Sequence, residues 1–202
     1  MEIPHGHYID VDRVCKSPIF MDAGACIGRA SGELFRLFPN AMIYMIEPNP
    51  SNFSRLRESF QQQENARLIS AALIGGDFDI TTSFTEFIGL PEWGNLFGLY
   101  RESARLRSKE CINYSVPTIQ LSSLIDQIGR IDYLKADIEG MEYSIFETLG
   151  VKYASSIGQI SMEMHVIPEH TKESLIGQFK LWGFEVQIFN EFELYAYHPD
   201  WI

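Results

Sequence analysis

Apolar residues fall into short blocks, and between the blocks they recur at helical spacing. Residues 16–21 end in an apolar run, Gly24 and Gly28 follow, and Leu34, Phe35, Leu37 and Phe38 mark one helical face. The order is therefore strand, tight turn, helix. Pro39 and Asn40 stop that helix, and residues 41–46 are apolar on both faces, as a strand buried in a parallel sheet must be. Asn49-Pro50-Ser51 supplies helix-start chemistry for residues 52–60, and 66–73 reads as a third strand. The rhythm then breaks. Residues 75–116 hold glycines, Pro91 and the aromatics Trp93, Phe97 and Tyr100, with weak periodicity beyond a strand-like 79–84. Such a segment predicts an irregular insertion or lid.

Regularity resumes with a strand at 116–121, a short helix to Ile128 and a strand at 131–136 closed by Asp137. A helix at 141–149, a strand at 157–164 and a helix at 168–182 follow. Strands at 184–189 and 193–197 are joined by Asn190 and Glu191, a turn-length link that predicts an antiparallel hairpin. The alternation defines a doubly wound, mostly parallel α/β sheet ending in that hairpin.

At 202 residues and 46% hydrophobic, the chain can bury one core, so a single domain over 1–202 is expected, with an N-terminal segment 1–16. A net charge of −11 repels phosphate backbones and anionic lipid, which argues against nucleic acid or a membrane as partner. The one dense basic run, Arg101, Arg105, Arg107 and Lys109, stands beside Glu102 and Glu110 and reads as a solvated helix face. Cys15, Cys26 and Cys111 fit neither a disulfide framework nor a zinc site, which points to a reducing cytosol. The start Met1-Glu2-Ile3-Pro4 lacks a basic-then-apolar leader, and no apolar stretch reaches the ~18 residues of a membrane span, so a cytoplasmic protein is expected.

Ligands of open parallel sheets sit beyond the carboxyl ends of the strands, near the point where strand order reverses. FMDAGACIG, residues 20–28, belongs there. Gly24 and Gly28 let the backbone turn sharply and approach a ligand. Ala25 and Cys26 separate just two glycines, short of the G-x-G-x-x-G of a dinucleotide site. Asp22 suits a ligand carrying ammonium and sulfonium charge better than a pyrophosphate. Glu47, in YMIEPNP with Pro48 and Asn49 behind it, can accept hydrogen bonds from both ribose hydroxyls.

These residues resemble the class I, Rossmann-like methyltransferases, and within them the FkbM-type group. FMDAGACIG is similar to the first motif and IEPNP to the ribose-binding motif. LKADIEGMEYSIFETLG, residues 134–150, is similar to the LK-x-D-x-EG-x-E signature, and VPTIQLSSLI (116–125) and ISMEMH (160–165) match in place and type. The resemblance runs from about residue 17 to 200. It implies S-adenosylmethionine as cofactor, a seven-strand sheet with one antiparallel strand, and O-methylation of a sugar, glycan or natural-product hydroxyl. Main-chain groups near Ala71 and Ala72 are expected to border the adenine. Cys26 and Ser122 depart from the family's usual polar residue and aspartate; serine still caps a helix. The segment before Lys16 is short for the group, so a lid supplied there elsewhere is either missing or comes from a second subunit of a homodimer.

Methyl transfer requires an aligned acceptor and removal of its proton. Asp137 closes its strand on the cofactor edge, Glu139 and Gly140 follow, and His165 ends MEMH with Glu163 on the same strand face. His165 or Asp137 serves as base, His165 orients Asp137, the two bind a divalent metal with Glu139, or His165 is purely structural. Glu142 reads as a solvated helix position. His5 and His7 read as terminal disorder. Trp93, Phe97 and Tyr100 offer a flat apolar surface for a sugar ring or aromatic acceptor, or else a small satellite core. The rivals are a nicotinamide oxidoreductase, disfavoured by the missing glycine, and a binding protein that keeps the pocket without turnover.

Overall fold

The computed structural model describes residues 1–76, 79–88, 90–96, 110–167 and 170–201. Two short strands, β1 (Glu2–Ile3) and β2 (His7–Tyr8), open the chain. The first half then runs β3 (Ile19–Ala23), α1 (Arg29–Leu37), β4 (Met42–Ile46), α2 (Pro50–Phe60) and β5 (Ala66–Ile69). The middle holds β6 (Ala72–Ile74), β7 (Thr81–Phe87), β8 (Leu90–Leu96) and β9 (Cys111–Gln120). After α3 (Leu121–Ile128) come β10 (Ile131–Ala136), α4 (Glu142–Leu149), α5 (Val151–Ala154) and β11 (Ile157–Glu163). The chain closes with α6 (Lys172–Leu181), β12 (Glu185–Ile188) and β13 (Glu193–Tyr197).

Seven strands form the main sheet in the order β12-β13-β11-β10-β3-β4-β5. β13 lies antiparallel to both β11 and β12, and the other pairings are parallel. The doubly wound fold and the C-terminal hairpin are as the sequence predicts. All six residues of β10 are buried, which a central strand covered on both faces requires. One face packs Met21, Ile46, Leu134 and Ile160 with residues of α3, α4 and α6. The other packs Phe20, Ile43, Met45 and Tyr133 with α1, Leu56 of α2, and Ile3 and Ile9. From β3 the chain winds outward through β4 and β5, and from β10 the opposite way, so the crevice opens between the tips of β3 and β10.

Four expectations are corrected. The strand predicted over 66–73 is two strands: the chain leaves the main sheet between Ile69 and Ala72, and β6 pairs with β9 instead. The segment predicted as irregular holds three strands, in a second sheet ordered β6-β9-β7-β8. Its threonine-rich β7 buries Phe84, Thr85 and Phe87, so tertiary pairing overrides a weak local pattern. The N-terminus is docked: His7 is 1% exposed, Ile9 is fully buried, and a turn through Pro4–Gly6 joins β1 to β2. Ser161 and Gln159 hold that segment down, accepting the Tyr8 and Asp10 amide protons at 3.0 and 2.9 Å. The last helix begins at Lys172 rather than 168, because Thr171 caps it by accepting the Ser174 amide proton at 3.2 Å. Asn49 caps α2 as predicted, with Pro50 in its first turn.

Candidate active site

Gly24 and Ala25 both donate their amide protons to the Ile46 carbonyl at 3.0 Å, and Asp137 donates to the Ala23 carbonyl at 3.1 Å. The turn after β3 is thereby tied to β4 and β10 at once. Gly24 has φ +75, and a Cβ there would stand 1.8 Å from the Asp137 carbonyl oxygen. Gly28, at φ +86, has Phe60 and Leu56 filling the place of its missing Cβ. Both glycines make room for the protein's own atoms, which a Cβ at either position would meet.

Glu47 is buried at the tip of β4. Its Oε2 accepts the Cys26 amide proton at 2.8 Å and its Oε1 accepts that of Asn49 at 2.9 Å. Burial pushes its carboxyl up to about 7, against the pull of those two amides and of Lys135. Pro48 links it to the α2 cap.

Asp22 is completely buried. Ser31 donates to its Oδ2 at 2.6 Å, and Lys135 Nζ lies 3.1 Å from Oδ1, which has no aligned hydrogen-bond donor. Lys135 also donates to the Gly24 carbonyl at 2.8 Å and stands 3.8 Å from Asp137 Oδ2. Burial pulls the Lys135 ammonium down, but Asp22, Asp137 and Glu47 together raise it. Its role was not read from the sequence, although the signal was there: an ammonium inside a fully buried strand requires a carboxylate partner.

Across the crevice, Asp137 stands at the end of β10. Burial pushes its carboxyl up, yet Lys135 and the nearby histidines hold it below its usual range. Glu139 sits at φ +56, a left-handed backbone rare outside glycine and common where a site over-determines the chain. Glu142 is fully buried rather than solvated, which corrects the sequence reading. It accepts amide protons from Ile138 at 3.1 Å and Gly140 at 2.9 Å, and its Oε1 lies 2.9 Å from His165 Nδ1. His165 Nε2 is 3.5 Å from Glu139 and 3.9 Å from Glu163. Burial disfavours the imidazolium, but the bond to Glu142 and the surrounding carboxylates raise His165 to about 9. Burial raises Glu139 to about 8 and moves Glu163 upward too. Asp137, Glu163 and His165 each offer one ligand atom within 4.8 Å of the others, so Glu163 takes the place expected for Glu139 in a metal set.

Ala71 and Ala72 are buried at the β5–β6 break. Trp93 lies on β8, while Phe97, Tyr100 and the basic run within 101–109 fall outside the described residues. The second sheet reaches the cofactor side: Ser51, in the first turn of α2, donates to Glu86 of β7 at 3.2 Å.

A sheet with this strand order, a two-glycine turn after its first parallel strand and an acid at the tip of the next is a Rossmann-like arrangement, and the similarity to known proteins makes it that of a class I, S-adenosylmethionine-dependent methyltransferase. The methyltransferase FkbM domain model matches residues 22–186, and the chain belongs to that family. It is 27% identical over 186 residues to methyltransferase sdnD of Sordaria araneosa, covering 80% of this chain and 72% of that one. Among solved structures, its fold resembles the N-terminal domain of EvdMO1 with SAH bound, at TM-score 0.52 and 14% identity, covering 90% of this chain and 75% of that one. It also resembles the Methanococcus jannaschii fibrillarin pre-rRNA processing protein, at TM-score 0.53 and 13% identity, over 96% of this chain and 70% of that one. Among the described residues, no helix is long and apolar enough to cross a membrane.

Proposed function

We propose that this methyltransferase acts on a hydroxyl oxygen of a small acceptor, a sugar, glycan or natural product. The observation that carries the cofactor half of this reading is the buried Glu47 carboxylate. Each of its oxygens receives one backbone amide proton and retains acceptor capacity for a ribose hydroxyl. Asp22, Glu47 and Asp137 outnumber Lys135 around the turn, so a ligand with sulfonium and ammonium charge complements the pocket and a pyrophosphate does not. The SAH bound to the similar EvdMO1 domain supports the same reading. S-adenosylmethionine supplies an activated methyl group. In this scheme Asp22 and Lys135 fix the Gly24 turn, Pro48 and Asn49 shape the ribose end, and main-chain groups at Ala71 and Ala72 border the base.

Glu139 receives the acceptor proton. A carboxyl held near 8 is a far stronger base than Asp137, and His165, raised to about 9, is already protonated at neutral pH. His165 therefore holds Glu139 in place rather than taking the proton itself. Crowded carboxylates disfavour an anionic acceptor and admit a neutral hydroxyl compound. Trp93, Phe97 and Tyr100 remain the proposed apolar surface for it. Calorimetry with S-adenosylmethionine, SAH and NAD tests the cofactor assignment: micromolar-range binding of the first two alone is expected, and tight NAD binding overturns it. Incubation with S-adenosylmethionine and candidate polyols should then give an alkali-stable methyl ether by mass spectrometry.

A further inference from the structure

We propose that Asp137, Glu163 and His165 form a divalent-cation site at the carboxyl ends of β10 and β11, with its open coordination positions turned to the acceptor hydroxyl. This deepens the acceptor-site reading above and rests on it: the cation takes the place of the Nε2 proton of His165, and its charge then holds Glu139 where the imidazolium would. The three ligand atoms lie within 4.8 Å of one another. A cation at about 2.0 to 2.3 Å from each spans ligand atoms no more than about 4.6 Å apart, so a set lying within 4.8 Å needs about a few tenths of an ångström of side-chain closure and no rearrangement of the backbone.

The histidine is oriented as a ligand. Its Nδ1 is bonded at 2.9 Å to Glu142, whose carboxylate is itself clamped by the Ile138 and Gly140 amides. That leaves Nε2 as the atom on the side of Glu139 and Glu163. A carboxylate holding one ring nitrogen while the other faces a ligand set is the arrangement that fixes metal-bound imidazoles.

A second observation comes from the docked N-terminus. His7 is 1% exposed, and its Nε2 has no hydrogen-bond partner. Its Nδ1 lies 3.2 Å from Ser161 Oγ, and Ser161 shares a face of β11 with Glu163. Asp137 is among the charges that act on the ring. A buried, unpartnered nitrogen within reach of the Asp137 charge is unfavourable unless something polar completes it. A hydrated cation does so.

One imidazole nitrogen with two carboxylate oxygens favours a borderline ion, Mn²⁺ or Zn²⁺, over Mg²⁺ or Ca²⁺. The test titrates the chelator-stripped full chain with MnCl₂, followed by the loss of the free-ion paramagnetic resonance signal and repeated calorimetrically with ZnCl₂. Saturable binding of a single ion at submillimolar concentration is expected. Glu163→Gln, at a half-exposed side chain that tolerates the change, should weaken it about tenfold or more, and Glu142→Gln, acting through His165, about 10- to 100-fold. SAH affinity of Glu163→Gln, measured alongside, should stay within twofold and so show a folded chain. Absence of Mn²⁺ and Zn²⁺ binding to the native chain, or equal binding by Glu163→Gln, overturns the proposal. Native chain that binds SAH but neither ion loses the cation site alone; chain that binds an ion but not SAH keeps it and loses the cofactor assignment.

Discussion

The two sides of the crevice solve the problem of burying carboxylates differently. At the tips of β3 and β4, Asp22 and Glu47 are satisfied by Ser31, Lys135 and backbone amides, and the turn between them is tied to neighbouring strands. At the tips of β10 and β11, Glu139, Glu142 and Glu163 all face one imidazole; two amides hold Glu142, while Glu139 and Glu163 are raised toward protonation. In the proposed reaction the first side holds the cofactor still and the second exchanges a proton. Buried charges with fixed partners give geometry, while crowded carboxyls raised toward neutrality give acid–base chemistry.

The sharpest way to break this comparison is to remove the cation that serves the first side. Lys135→Met leaves Asp22 buried without a counter-charge, and stability should fall by about 3–5 kcal/mol, read from urea unfolding. Asp22→Asn combined with it should recover much of that loss, since both charges are then gone. If the single variant is as stable as the native chain, the pair is not what holds the turn.

On the second side, Glu139→Gln should lower kcat by about 100-fold with SAH affinity unchanged. The pH profile sharpens the assignment. Glu139, raised to about 8, must lose its proton before it can accept one, so kcat should climb about tenfold per pH unit below that value and level off above it. A flat profile between pH 6 and about 9 removes Glu139 as the base. The smallest expected effect returns to the cofactor side, where Glu47→Gln should weaken S-adenosylmethionine binding about tenfold while sparing the pH profile.

Much of this was legible in the chain. The apolar run at 41–46 announced an inner strand because such strands are covered on both faces and need no alternation. Asn49-Pro50 announced its helix because capping chemistry is local. Asp22, Glu47, Asp137 and His165 were placed from strand ends alone, since in a doubly wound sheet those ends converge. The second sheet escaped notice because β7 and β9 alternate only partly and are stabilised by each other.

The sequence by itself determined the doubly wound alternation, the Asn49 cap and the placing of Asp22, Glu47 and Asp137 at strand ends, all of which follow from short-range periodicity and connection rules. Tertiary structure alone decided that Lys135 pairs with Asp22, that Glu142 turns inward to hold His165, and that His7 is buried over β11. Those contacts join residues far apart in the chain, and the burial that sets their charge state exists only once the sheet has brought them together.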